Sequence, residues 1–358
     1  MKLISPLLKH VVYPGLSKAG YLRPSAQAEP AVITYHGVYP SGYQPRAFTL
    51  DGHLVTAGAF RAQILLLQSK YNLISPDQFR RWCKHECELP SHSVLLTCDD
   101  GLLNTLTDML PIIREQDVPF LFFVTGASAS GLGSMLWHEE LELWRAHIGN
   151  RIVLQTPWRR EPYKASGQAQ TFSLWLELRR QLSAFDTCTR LSILEDMRIQ
   201  LGIAGDWRSE YSQNEPLRRR FFMLNRDQLH QLADAGITIG AHTMSHPMLS
   251  QMPEDLAFRE IAESRRQLEK ELGREVWALA YPFGNGEAVS AREADLARRA
   301  GFSCAFMNME NTPAANTFAL PRIHVSAGMG LSEFEAHVSG FYRSLRARTL
   351  RVAAGNPA

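Results

Sequence analysis

Sulfur, net charge and long apolar runs are all scarce in this chain, and each scarcity narrows what it can be. Only five of the 358 residues are cysteine. They are odd in number and scattered (Cys83, Cys87, Cys98, Cys188, Cys304), so no disulfide framework is expected and the thiols read as reduced. Cys83 and Cys87 could share a helix face, but no second Cys/His pair lies near enough in sequence to complete a zinc site. Lysine plus arginine (38) nearly cancels aspartate plus glutamate (36), leaving no bulk positive field to draw nucleic acid. Apolar runs such as 64–67 and 120–124 fall far short of the roughly 18–20 residues that cross a bilayer. Pro6, Lys9 and His10 interrupt the N-terminal apolar residues, so no signal peptide is expected and the reading is cytoplasmic. Glycine (24) and proline (19) are unexceptional and show no repeat, which excludes collagen-like and linker-dominated chains. What is plentiful is apolar residue content, 45% against 21% charged, enough for a large packed core.

That apolar content is arranged in seven short runs ending in polar clusters, at 31–38, 93–100, 119–126, 237–246, 276–284, 302–308 and 318–325. Each is rich in β-branched or aromatic residues and short enough for a buried strand. Helical patterns lie between them, over 56–71, 102–116, 227–235, 253–272, 287–300 and 331–345, and three are followed by glycine (Gly236, Gly273, Gly301) where a left-handed cap is wanted. Alternating strand and helix predicts a parallel α/β architecture, a barrel or a wound sheet. The rhythm fails over 128–222, which holds helical patterns, five tryptophans (Trp137, Trp144, Trp158, Trp175, Trp207) and the basic clusters Arg159–Arg160 and Arg218–Arg220. This stretch is expected to be a largely helical insertion whose tryptophans form a local core, with sugar stacking as the rival use. The expected division is an N-terminal extension (1–30), the first part of the main domain (31–127), the insertion (128–222), the second part (223–345) and a basic tail (346–358).

Three strand endings carry chemistry. Thr97-Cys98-Asp99-Asp100-Gly101 sets two carboxylates side by side; they repel unless one holds a cation and the other serves as a base. Taken alone, the same residues suit a turn or an N-cap. His242-Thr243-Met244-Ser245-His246 sets two imidazoles four apart in a tight loop, where they can reach one metal ion. The alternative is a pair of polar loop histidines; Pro247 and the lack of a Glu after His242 exclude the two-histidine helix of zinc proteases. Ala280-Tyr281-Pro282-Phe283-Gly284 is a sharp turn.

In this order the three segments resemble the motifs of the polysaccharide deacetylase family, also called NodB-homology or carbohydrate esterase 4. TCDDG is similar to its first motif, HTMSH to its H-[ST]-x-x-H motif and AYPFG to a variant of its third. The likeness covers about 31–100, 119–126 and 225–325. It implies a distorted (β/α)7 barrel. It also implies a divalent metal, zinc or another such as cobalt or nickel, on Asp100, His242 and His246, with Asp99 as general base. The Phe283 peptide would help hold an oxyanion, with Tyr281 beside it. Three departures stand out: Cys98 replaces a phenylalanine, Ala280 stands where many members have a base-orienting arginine, and the last motif has no clean match. Arg322 is the candidate to orient Asp99 in its place, and His324 the candidate general acid, its pKa raised by a nearby carboxylate. His36 and His138 compete for pocket roles.

The implied activity is metal-dependent removal of N-acetyl, or another acyl group, from an amino-sugar-containing polysaccharide or glycan precursor. The alternative is a catalytically inactive carbohydrate-binding relative, for which the missing arginine and unclear acid speak. A two-histidine-one-carboxylate iron oxygenase fits poorly, because such sites sit on jelly rolls. No nucleic-acid partner is expected. The arginines at 343, 346, 348 and 351 read as a solvated helix face, with peripheral contact to anionic lipid the rival reading.

Overall fold

All seven apolar runs become parallel strands of one sheet. The computed structural model describes residues 4–24, 29–130, 135–149, 151–310 and 316–346. Its strands in chain order are β1 (Ala31–Tyr35), β2 (Asn72–Leu73), β3 (Ser93–Cys98), β4 (Leu121–Val124), β5 (Arg151–Leu154), β6 (Tyr163–Ser166), β7 (Thr238–Ala241), β8 (Ala278–Ala280), β9 (Cys304–Phe306) and β10 (Ile323–His324). The sheet runs β10-β1-β3-β4-β7-β8-β9, with the short β2 on β3, and every pairing in it is parallel. All six residues of β3 are buried, as expected of a parallel strand covered on both faces.

The last run closes the circle in two halves. Leu320 bridges Phe306 on β9, and three residues later Ile323 pairs with Ile33 on β1. The break falls at Pro321, which has no N–H to offer a ladder. The result is a distorted (β/α)7 barrel. Its register brings the C-terminal strand ends level: Tyr35 lies beside Cys98, Val124 beside Ala241, and Ala280 beside Phe306. Whatever follows these residues in sequence therefore meets at one end of the barrel, which is where α/β barrels carry their sites.

The helices follow the patterns, with one shortened and one interrupted. The 287–300 pattern is helical only over Ala291–Arg299, because Asn285 and Ser290 cap turns before it. The 331–345 pattern is helical over Leu331–Val338 and again over 341–346, with a turn at Ser339 and Gly340 between. Glu254–Leu272 ends on Gly273 in the left-handed conformation.

Helices dominate the 128–222 stretch, but it also contains an antiparallel hairpin, β5–β6, that the helical expectation did not include. Alternation accounts for it: Ile152 and Leu154 point inward while Arg151 and Val153 face out. Trp137, Trp144 and Trp175 are buried with Ile152, Leu154, Leu178 and Met197 in a hydrophobic cluster of the insertion's own, with Trp158 and Trp207 packed against it. The tryptophans build a local core, as expected. Of the basic tail, Arg348 and Arg351 lie outside the described residues; Arg343 and Arg346 lie within them. No described helix is long and apolar enough to cross a membrane.

The insertion is tied to the first half of the barrel by a buried cation. Arg220, fully buried, donates from Nε to Asp51 (2.8 Å) and from Nη2 to Glu139 (2.8 Å). Removing one partner of such a group strands the others without compensation, at a cost of about 3–5 kcal/mol. Arg220→Met is therefore expected to lower the denaturation midpoint sharply, while Arg220→Met combined with Asp51→Asn and Glu139→Gln recovers part of the loss. A single variant as stable as wild type in a denaturant titration would show that this network does not join the two parts.

Candidate active site

At the C-terminal end of the barrel lies a cavity of about 270 Å³, and every candidate site residue named above except Arg322 lines it. Asp99 and Asp100 follow β3, His242 and His246 follow β7, Tyr281 and Phe283 follow β8, His36 follows β1 and His324 ends β10. The backbone reaches this arrangement under strain. Seven non-glycine residues among those described have positive φ, and four of them are Asp100 (74°), Thr243 (61°), His246 (59°) and Phe283 (61°). Left-handed residues of this kind cost about 1–3 kcal/mol each and persist only where their surroundings hold them. Two glycines make the turns possible: a Cβ at Gly101 would meet Val124 at 2.9 Å, and one at Gly284 would meet the Asn308 nitrogen at 2.4 Å.

The two adjacent aspartates have different partners. Asp99 is gripped by Arg322 in a bidentate pair, Nη1 to Oδ1 at 2.7 Å and Nη2 to Oδ2 at 2.6 Å. Arg322 is itself fixed by the Met307 carbonyl (2.7 Å) and is fully buried. Burial pushes the Asp99 pKa up, but Arg322 and His242 outweigh it and hold the carboxyl below its ordinary range. Asp100 faces the imidazoles instead. Its Oδ1 lies 3.4 Å from His242 Nε2 and 3.2 Å from His246 Nε2, and one ligand atom from each of the three residues falls within 4.8 Å of the others.

The hydrogen bonds around this trio leave it able to hold a metal ion. His242 Nδ1 lies 2.8 Å from the Ala280 carbonyl, which can only accept. Nδ1 therefore carries a proton, and in the neutral ring the lone pair of Nε2 points at the Asp100 carboxylate. A lone pair facing a carboxylate calls for a cation, a proton or a metal ion, between them. Two imidazoles and one carboxylate are a donor set that suits zinc, with positions left open.

The remaining histidines differ from expectation in one respect. His324 has a buried Nδ1 with no hydrogen-bond partner, and burial, helped by His36, lowers its pKa to about 3. The carboxylate expected to raise that pKa is not paired with it; Asp99, the nearest candidate, is taken by Arg322. His36 packs on His324 (ring centroids 5.0 Å) and on His53 (5.5 Å). His138 stacks on His246 at 4.6 Å, and both touch Phe283. Burial lowers the pKa of His36, His53 and His138. Tyr281 lines the cavity, but its hydroxyl is spent on the Phe318 carbonyl (3.0 Å).

Sequence reasoning missed His53, Glu139 and Arg179, all of which line the cavity. Glu139 is the neighbour of His138, which was identified, and its carboxyl is pushed up to about 7 by burial despite Arg220. His53 follows an Asp-Gly turn with no helical or strand pattern to flag it. Arg179 comes from the insertion helix Gln168–Leu182 and lies over the Phe283 ring.

Comparison with known proteins agrees with this geometry. The polysaccharide deacetylase family model matches residues 200–305. The match takes in HTMSH and AYPFG, while TCDDG lies before the insertion and outside it. YxkH of Bacillus subtilis (strain 168), named for the polysaccharide deacetylases, is 28% identical over 122 residues. That match spans 32% of this chain and 41% of the relative's length. Three solved structures share the fold. The deacetylase PplD of Streptococcus pyogenes, in complex with acetate, has a TM-score of 0.53 at 17% identity, covering 85% of this chain and 95% of that one. IcaB of Ammonifex degensii has 0.52 at 17%, covering 87% and 98%. A de-N-acetylase of Aggregatibacter actinomycetemcomitans has 0.51 at 13%, covering 86% and 98%.

The buried histidines carry a pH signature. In the unfolded chain they take up protons near pH 6.5, and in the fold they resist doing so until far lower pH, so the unfolded state binds more protons over that interval. Stability is thus lost as pH falls through 6.5. Glu139 opposes this, since its folded pKa lies above the unfolded one, but it is one group against His36, His53, His138 and His324. The metal-free protein is expected to melt at progressively lower temperature from pH 7.5 to 5.5, and His324→Gln should flatten the slope. A pH-independent melting temperature over that range would contradict it.

Proposed function

We propose that the protein is a metal-dependent hydrolase that removes N-acetyl groups from an amino-sugar-containing glycan. The observation that carries this reading is the division of labour between neighbouring aspartates: Asp100 shares a cation position with two imidazoles, while Asp99 is kept apart and ionised. A structural turn would have no use for that separation. The family match and the deacetylase neighbours support the reaction class.

A zinc ion held by Asp100, His242 and His246 would supply Lewis acidity to the acetamide carbonyl and to an attacking water. The chain's own residues do the rest. Asp99 accepts the proton that water gives up as its oxygen bonds to the carbonyl carbon, and Arg322 keeps its carboxylate aimed and unprotonated beforehand. The Phe283 turn, held in a left-handed conformation above Gly284, presents main chain toward the cavity where negative charge develops on the carbonyl oxygen. When the C–N bond breaks, the amine must receive a proton. His324 is assigned that delivery, with a condition: burial keeps it neutral, so it must take up a proton during the reaction before it can give one. His36 sits against it and is the alternative donor.

Two variants separate metal binding from base catalysis. His246→Ala is expected to lose the metal measured by elemental analysis, and with it acetate release from N-acetylated glycans. Asp99→Asn should keep the metal and lose about 10²–10⁴-fold in rate, the range of a positioned general base. Equal metal content in His246→Ala and wild type would remove the metal assignment, and near-full turnover in Asp99→Asn would place the base elsewhere. Metal binding by wild type without acetate release from any N-acetylated glycan would favour the inactive carbohydrate-binding reading.

A further inference from the structure

The two metal-facing histidines are supported in different ways. His242 is oriented by the barrel itself, through its Nδ1 contact with the Ala280 carbonyl at the end of β8. Such a contact is the usual way a metal-binding imidazole is held. His246 has none: its Nδ1 is buried without a partner among the described residues. Its backbone is also left-handed, as is that of Thr243 three residues before it. The contacts that hold this arm come from both sides: after β4, the Gly126 and Ala127 amides donate to the Thr243 and Met244 carbonyls (2.9 Å each), and the insertion holds Ser245 and His246. The Trp137 indole N–H donates to the His246 carbonyl at 3.1 Å. Arg190 Nη1 donates to Ser245 Oγ at 2.9 Å, while its other nitrogens hold the Leu182 and Phe185 carbonyls that end the preceding insertion helix. Arg190 also lies over the Trp137 ring, and both side chains are buried. From the barrel side, Glu260 accepts from the Ser245 nitrogen and hydroxyl. His138, beside Trp137, stacks on the His246 ring.

We infer that the insertion is a strut for the metal site: Trp137 is a positioning residue that sets the affinity of the His246 arm for the ion through the hydrogen bond to its carbonyl. This rests on the metal-dependent reading above. It gives the insertion a role in the deacetylase chemistry even though it lies largely outside the match to the family model.

The same helix, Trp137–Ile148, supplies the control. Trp144 is equally buried, belongs to the same hydrophobic cluster and has an indole nitrogen with no partner among the described residues. Trp137→Phe and Trp144→Phe remove the same atoms from one hydrophobic cluster, and only the first deletes a hydrogen bond to the ligand loop. Zinc affinity of the purified full chain is measured by competition with a chromophoric chelator. Trp137→Phe is expected to bind zinc about 10–100-fold more weakly, the usual effect of losing a contact behind a metal ligand. Trp144→Phe is expected to bind it as wild type does. A second readout needs no variant: zinc added to metal-free wild type should shift the Trp137 indole N–H resonance and slow its exchange with solvent, leaving Trp144 unmoved. Undiminished affinity in Trp137→Phe, equal weakening in both variants, or an indole indifferent to zinc would overturn the strut. Wild-type protein that takes up no zinc would overturn the metal-dependent reading itself, and the strut with it.

Discussion

A guanidinium buried at the barrel seam is the constraint on which the site depends. Arg322 sits just after the break at Pro321, between the residue that pairs with β9 and the residue that pairs with β1. Its Nε is bound to the Met307 carbonyl beyond β9, and its two terminal nitrogens reach Asp99 beyond β3. One side chain thus joins the two sides of the closure and neutralises one of two adjacent carboxylates. Without it, Asp99 and Asp100 would face each other in a poorly hydrated cup, and one of them would hold a proton. With it, Asp99 stays ionised, and the Asp100 charge is left for the imidazoles. Ala280 stands where the resemblance points to an orienting arginine, and Arg322 supplies that charge from another strand.

Two more fully buried arginines extend the pattern. Arg220 joins Asp51 in the first half of the barrel to Glu139 in the insertion, and Arg190 joins the insertion to the loop between His242 and His246. Arginine suits such joints because its planar fork satisfies several acceptors at once and is desolvated more cheaply than an ammonium. The insertion therefore does not sit on the barrel as a separate body with an independent interface. It reaches the cavity wall with His138, Glu139, Glu142 and Arg179.

The strands and the meeting of the TCDDG and HTMSH segments were legible because both obey local rules. A buried parallel strand must be a short apolar run, and β3, β4 and β7 are almost nothing else. Residues that follow such strands must meet at one end of a barrel, so the two segments could be placed together from order, while the choice of Asp100 over Asp99 as partner of His242 and His246 came from the resemblance. The β5–β6 hairpin was not legible, since four residues of alternation are too few to stand out among helical patterns. Nor was the environment of His324. Its position at the end of the last strand was readable, but its pKa depends on which groups lie across the cavity. The carboxylate that would have raised it is committed to Arg322. His53 and Glu139 escaped for the same reason: their place in the site is set by tertiary contact with Arg220 and one another, not by any spacing in the chain.

The cluster of imidazoles around the cavity has a physical logic that links fold to chemistry. Six of the chain's twelve histidines line one pocket, an arrangement that would fail if they charged together. Burial keeps His36, His53, His138 and His324 neutral, so each contributes a donor and an acceptor without adding positive charge beside the cation position. That matters because Asp99 is already balanced by Arg322 and Glu139 by Arg220, while among the described residues Asp100 faces the imidazoles without a paired arginine. A divalent ion there would leave the centre with a single net positive charge, opposite in sign to the charge that appears on a carbonyl oxygen under attack. A cup of charged histidines would repel the ion before any substrate arrived. The left-handed backbone at Asp100, His246 and Phe283 breaks local preference where these residues line the cavity, and buried side chains bind next to two of these points: Arg322 on Asp99, and Arg190 and the Trp137 indole on Ser245 and His246.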